Sequence, residues 1–385
     1  MYSKDQLNEL YERIVKTIDI SNEMFDVAEQ EYSELGKWID RVTPQYKISI
    51  YSQGSFALGT VIKPIDDSED YDLDLVCEFE RQYRLSAESL KCDVVKPLLE
   101  RYKKIKGKIE NKRRCWHVEY EDIPNFHMDI VPAVNREIYI DITNHNEETD
   151  AYDYIGSNPL GYIEWFNSKK AERSNILLEN YCLKHSDSIK CSADIAKIKE
   201  YHLKTPLQKA IQILKRHRDI MFAEDTSHRK PISIIITTIA AELYQNEDNI
   251  VDTLTNILEN AESYIKKNMI GSEYHIDNPT YTGTERENFA DKWNEHPERA
   301  VAFFQWLTKA KEDLVDKRVY DMVRTKLAEN FKQALGTTTT EKVFTDIAKE
   351  ERAAIENQSK KIETSTGAIS SAGSVSIPRS HHYGS

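Results

Sequence analysis

The feature that most constrains the fold is a change of hydrophobic period along the chain. Between Tyr46 and Thr143, apolar residues recur at every second position in short runs, "YKISIYS", "YDLDLVCEFE", "CWHVEYED", "NFHMDIVPAV" and "EIYIDIT". Side chains two apart on a strand share a face, so each run reads as a half-buried β-strand. After about residue 195 the spacing becomes helical. In "TPLQKAIQILKRHRDIMF", Leu207, Ala210, Ile211 and Leu214 form an apolar face, with Gln208, Gln212, Lys215 and Asp219 as a polar stripe beside it. "PISIIITTIAAELY" is apolar all round, and its length and Ala-Ala-Glu-Leu ending favour a buried helix. Residues 5 to 40 carry a helical stripe as one long helix or two. The pattern predicts an α+β chain. A mixed sheet with helices, preceded by the N-terminal long helix, occupies 1–195, and a helical lobe occupies 196–357. Residues 358–385 form a flexible tail, because nine of the thirteen residues from Thr364 to Ser376 are Ser, Thr or Gly and cannot offset chain entropy by burial.

The 385 residues, 39% of them apolar and without a long apolar run, suit a soluble two-lobed protein. The start, "MYSKDQLNELYERIVK", lacks the apolar centre of a secretory signal, so a cytoplasmic location is expected. A net charge of −13 argues against broad nucleic-acid binding, which needs a basic surface to replace phosphate counterions. The stretch from Arg101 to Arg114 has eight basic residues and one acid, and is read as a solvated helix face with its turn. Five cysteines show no paired spacing and are read as reduced structural thiols. Cys182, His185 and Cys191 could begin a metal site but lack a fourth ligand nearby.

Asp70, Asp72 and Asp74 stand at alternate positions after a Gly-Ser turn. On a strand such carboxylates lie about 7 Å apart on one face and repel unless a cation sits between them. Oxygen ligands at that spacing suit Mg²⁺. A third carboxylate would allow a second ion, as in-line phosphoryl transfer uses. Asp129 in "HMDIV" supplies one, and Asp141 in "IYIDIT" is its rival. A bare D-x-D is ordinarily an edge strand made soluble. Gly54-Ser55, which can bring backbone N–H groups and a hydroxyl to an anion, weighs against that explanation here. Asp72 and Asp74 are flanked by apolar residues and so lie within the strand, whereas Asp70 follows the loop-like "DDSE" and is assigned a supporting place.

The order Gln53-Gly54-Ser55, Asp72-Leu73-Asp74, Asp129 resembles the active site of the polymerase-β-like nucleotidyltransferases. "SNPLGYIEWF", "TPLQKAIQILKRHRD" and "ENFADKW" are similar to segments of the bacterial CD-NTases, relatives of cyclic GMP–AMP synthase and oligoadenylate synthase. The resemblance implies that Asp72, Asp74 and Asp129 hold two Mg²⁺ ions, with Mn²⁺ able to substitute. It implies that Gln53, Gly54 and Ser55 grip the triphosphate of a donor nucleotide, with Lys215 and Ser233 also on phosphate. The implied activity joins nucleoside triphosphates, ATP among them, into a cyclic di- or trinucleotide that switches on an effector protein in anti-phage defence. The family also implies a ubiquitin-like ligation enzyme acting on the C-terminal tail. No membrane is implied. A template-independent polymerase or RNA-tailing nucleotidyltransferase is the alternative, since it would share the carboxylates.

Overall fold

The computed structural model describes residues 2–65, 71–102, 105, 107–120, 126–184, 203–281, 287–357, 361–362 and 369–370. Asp70, His185 and Cys191 lie outside the described residues, as do the Cys182 side chain and most of the tail. The 195/196 boundary falls outside them too.

Seven strands form one sheet: β1 (Ile48–Ser52), β2 (Tyr71–Phe79), β3 (Ile109–Asn111), β4 (Trp116–Glu119), β5 (Phe126–Arg136), β6 (Tyr139–Asn146) and β7 (Ala151–Ser157). The order is β1-β2-β5-β4-β3. The long β5 pairs with β4 through its first half and with β6 through its second, and β7 pairs with β6. Only β2 and β5 run parallel; every other pair is antiparallel. Alternation decides what each face meets. Leu73, Leu75, Met128, Ile130, Trp116 and Val118 point into a hydrophobic cluster with Leu35 and Ile39 of α2 (Asn22–Val42) and Leu98 and Leu99 of α4 (Lys96–Arg101). Removing such side chains from water, at about 1.5–3 kcal/mol each, fixes the register and leaves the intervening polar residues on the opposite face.

The sequence is helical before β1 as expected, but it breaks into α1 (Lys4–Ile18) and α2, because Ser21 caps α2 by accepting the Met24 N–H. Moreover, Leu7, Leu10, Tyr11, Ile14 and Ile18 of α1 bury in the cluster of the helical lobe, not against the sheet. The predicted 1–195 core therefore shares its first helix with the second lobe, since that is where the α1 stripe finds an apolar partner. Of the basic stretch, Arg101 ends α4 and residues 109–111 form β3, so its described residues from 107 to 114 are not a helix face.

The lobe contains α6 (Pro206–Met221), α7 (Ser233–Leu243), α8 (Ile250–Lys267), α10 (Pro297–Leu314) and α12 (Arg324–Leu335), reached through α5 (Pro159–Lys184); the short α9 (Asp291–Glu295) and α11 (Lys317–Asp321) lie between, and α13 (Thr337–Glu356) follows. Thr205 and Gln208 form a reciprocal cap at the start of α6, with Pro206 in the first turn, where it forfeits no hydrogen bond. The polar stripe of α6 is not solvated. Gln208 donates to the Leu58 carbonyl at 2.9 Å, Gln212 to Val61 at 2.6 Å, Lys215 to Thr60 at 2.9 Å and Arg216 to Lys63 at 2.5 Å. Positions spaced i, i+4, i+7 and i+8 thus bind the backbone that follows α3 (Gly54–Leu58), joining the lobes beside the Gly-Ser segment.

Candidate active site

Strand pairing assembles what the sequence spreads over 58 positions, from residue 72 to residue 129 counted inclusively. Asp74 is the cross-strand partner of Asp129, and Asp72 that of His127. His117 on β4 is in turn opposite Asp129. All share the polar sheet face. Asp141, on β6, belongs elsewhere, ion-paired with Arg136 at the end of β5, so the register favours Asp129 over its rival.

Gly54 opens α3 directly against Asp74. Its φ is +61°, and a Cβ at that position would lie 2.1 Å from Asp74 Oδ2, so backbone reaches the carboxylate only because no side chain intervenes. The Gln53 N–H donates to the Asp74 carbonyl at 2.9 Å and ties the start of α3 to β2. Gln53 is otherwise absent from the lining of the cavity that follows.

That cavity, of about 340 Å³, lies between the sheet and the helical lobe. Gly54, Ser55, Asp72, Asp74, Lys215 and Ser233 all line it. Sequence reasoning missed four further charged residues there, Lys63, Arg218, Asp219 and Lys230. Arg218 donates to Ser233 Oγ at 2.6 Å and pairs with Asp219 at 2.6 Å, which also pairs with Lys230 at 2.7 Å. Ser233 begins α7, where the free N–H groups of the first turn and the helix dipole favour an anion. A second cavity, of about 370 Å³, adjoins the first and shares Lys230 and Ile234 with it. Lys112, Arg113, Arg114, Arg229 and Arg299 make it strongly positive within a chain of net charge −13.

The carboxylates are electrostatically unequal. Burial, followed by the charges of Asp72 and Asp129, pushes the Asp74 carboxyl up to about 7. At Asp72 desolvation opposes ionisation, but the hydrogen bond and charge of His127, with Lys215 and His117, outweigh it and hold the group below its ordinary range. Burial and the neighbouring Arg218 bring Lys215 down to about 8 despite Asp219, Asp72 and Asp74. Asp72 and Asp74 line the cavity, and Asp129 stands across the strand from Asp74 but outside that lining; a hard divalent cation would relieve the like-charge conflict among them.

This predicts a pH signature. The carboxyl of Asp74 ionises near 3.8 when unfolded and near 7 when folded, so metal-free stability is fully present below about pH 4 and declines as pH rises through 7. Asp74→Asn should remove that decline, raising metal-free stability at pH 8 by about 2 kcal/mol after allowance for partial exposure. Mg²⁺ should then stabilise the parent protein at pH 8 more than the variant. Thermal unfolding at pH 4.5 and pH 8, with and without the metal, measures both effects.

A mixed sheet bearing these carboxylates beside a Gly-Ser segment, closed by a helical lobe, is the arrangement the sequence resemblance implied. Residues 48–132 match the family "Cyclic GMP-AMP synthase DncV-like, nucleotidyltransferase domain", and the fold is similar to that of a solved CD-NTase. It is 29% identical over 325 residues to the c-di-GMP synthase of Roseivirga ehrenbergii, covering 82% of this chain and 80% of the relative. Identity to the cyclic dinucleotide synthase CdnG of Bradyrhizobium diazoefficiens is 23% over 332 residues, covering 83% and 77%. The solved structure of that CD-NTase CdnG in complex with GTP superposes with a TM-score of 0.69 at 20% identity, covering 89% of this chain and 98% of the other.

Proposed function

We propose that this nucleotidyltransferase joins nucleoside triphosphates, GTP among them, into a cyclic dinucleotide and releases pyrophosphate. The observation that carries the reading is the placement of Asp72 and Asp74 on one wall of a cavity whose other walls carry Ser55, Lys215 and Ser233. The names of the relatives, a c-di-GMP synthase and a cyclic dinucleotide synthase, support the product class and the choice of guanine.

In this reading Asp72, Asp74 and Asp129 hold two Mg²⁺ ions, for which Mn²⁺ can substitute; when bound, the ions neutralise charge on the reacting phosphates. Gly54 and Ser55 place backbone and a hydroxyl against the donor triphosphate, with Gln53 anchoring their turn. Lys215, Arg218, Lys230 and Ser233 face its β- and γ-phosphates. Asp129 faces the acceptor hydroxyl. The hydroxyl gives its proton to the Asp129 carboxylate, its oxygen bonds to the α-phosphorus of the donor, the bond from that phosphorus to the bridging oxygen breaks, and pyrophosphate leaves with the electron pair. A second round closes the ring. The protein contributes chiefly alignment and fixed charge. The basic second cavity takes the acceptor nucleotide, whose phosphates its arginines match.

The lobe assignment follows: 1–195 supplies the catalytic core, 196–357 closes on the substrates, and 358–385 remains available to a ubiquitin-like ligation enzyme. The product would switch on an effector protein in anti-phage defence. No described helix is long and apolar enough to cross a membrane, which suits synthesis of a diffusible messenger in the cytoplasm. Separation of products formed from ATP, GTP, CTP and UTP, each labelled in turn, tests the base assignment. Label from GTP should enter the product, and a product free of guanylate would refute GTP as a substrate.

A further inference from the structure

The polar sheet face carries two rows of side chains. Asp72, His127 and Glu119 are cross-strand neighbours in one, and Asp74, Asp129 and His117 in the other. His117 on β4 therefore flanks Asp129 on the side away from Asp74, while His127, two residues before Asp129 on β5, is ion-paired with Asp72 across the β2–β5 seam. One ring nitrogen of His117, one of His127 and a carboxylate oxygen of Asp129 all lie within 4.8 Å of one another. His117 Nδ1 is 2.8 Å from Asp129 Oδ1, and the ring centroids are 4.2 Å apart.

Nitrogen donors are superfluous for Mg²⁺, which prefers oxygen and retained water, whereas imidazole suits the Zn²⁺ class of ion. We propose that His117, His127 and Asp129 form a binding site for a borderline divalent ion of the Zn²⁺ class, adjoining the carboxylates Asp72 and Asp74, where binding would exchange the His127–Asp72 ion pair for a bond to the metal. Three protein donors with a fourth position open is a recurrent zinc arrangement, with bonds of about 2.0–2.2 Å. Tetrahedral bonds of that length put donor atoms about 3.3 Å apart, so side-chain rotation of the two rings is enough to close the set. Zn²⁺ bound through Asp129 and His127 competes with the nucleotide-joining centre for the charge of that carboxylate and displaces His127 from Asp72. That consequence rests on the proposed function; the binding itself does not.

The test titrates the metal-stripped full chain with Zn²⁺ in excess Mg²⁺ by calorimetry, and with Co²⁺, whose visible absorption reports its ligands. One Zn²⁺ should bind per chain. Affinity should fall more than about 100-fold in the double variant His117→Asn, His127→Asn, since loss of even an outer-shell partner costs about 10–100-fold. Asp74→Asn should keep the site. Undiminished Zn²⁺ affinity in a double variant with the parent's far-ultraviolet circular dichroism overturns the proposal. Anomalous scattering from a Zn²⁺-soaked crystal of the unaltered chain does not depend on the variant folding. A peak bonded to both imidazoles supports the site, and a peak at Asp72 and Asp74 alone overturns it. Because binding is read without turnover, an inactive chain would fail the proposed function and still decide this site.

Discussion

Asp74→Asn is expected to reduce pyrophosphate release by about 10⁴-fold, the scale of loss when a member of a catalytic constellation is removed. The amide keeps the shape of the side chain and nearly its volume, so β2 should retain its pairing with β5. What changes is charge. When no cation is bound, burial acts against ionisation of Asp74, and the charges of Asp72 and Asp129 add to it. Neutralising it should relieve the apo fold while disabling the metal site. Loss of turnover together with a gain in metal-free stability at pH 8 is therefore the expected pair of results. A structural collapse would lower both. Steady-state pyrophosphate release and thermal unfolding on the same preparation separate the two outcomes.

Gly54→Ala should have the second largest effect. Ala at φ +61° costs about 1–2 kcal/mol from backbone sterics alone. Its Cβ would also fall 2.1 Å from Asp74 Oδ2 and 2.9 Å from Asp74 Cγ, so either α3 or the carboxylate must move. A displacement of about 1 Å at a reacting centre can cost about 10²-fold in rate. The expected variant remains folded, binds metal more weakly and turns over at least about 100-fold more slowly. Gly59→Ala provides a comparison at a second positive-φ glycine, where the contact is instead with Gln208 Nε2 at 2.6 Å. There the effect should fall on stability and on the α6 junction more than on metal affinity.

Much of the site was legible locally. Asp72, Asp74, Gly54 and Ser55 lie within 21 residues, and strand alternation alone gives the two carboxylates a common face. Asp129 was harder, because Asp141 has similar apolar flanks; the parallel register of β2 and β5 separates them, and no periodicity specifies which distant strands pair. His117 and His127 were missed for the same reason. "WHVE" and "FHMD" place both on the polar face of their strands, so alternation held the signal, but their meeting depends on β4 and β5 being neighbours. Lys215 was placed on a polar stripe without any sign that this stripe is buried against the carbonyls of residues 58–63. Amide and ammonium groups can satisfy backbone acceptors in the interior as readily as water, and a sequence pattern does not distinguish the two. β3 escaped notice within the lysine-rich stretch because a three-residue strand carries too little periodicity. β7 has a weaker excuse, since "AYDYIGS" does alternate.

These carboxylates are expected to join nucleotides to each other and to close the product into a ring. The most direct measurement incubates the purified chain with Mg²⁺ and the four nucleoside triphosphates, in one arm with an RNA primer, and follows pyrophosphate and phosphatase-treated products. The account predicts pyrophosphate release, a product that resists phosphatase because it has no terminal phosphate, and an unextended primer. Nucleotides added to the RNA 3′ end, with no phosphatase-resistant product in either arm, would contradict it.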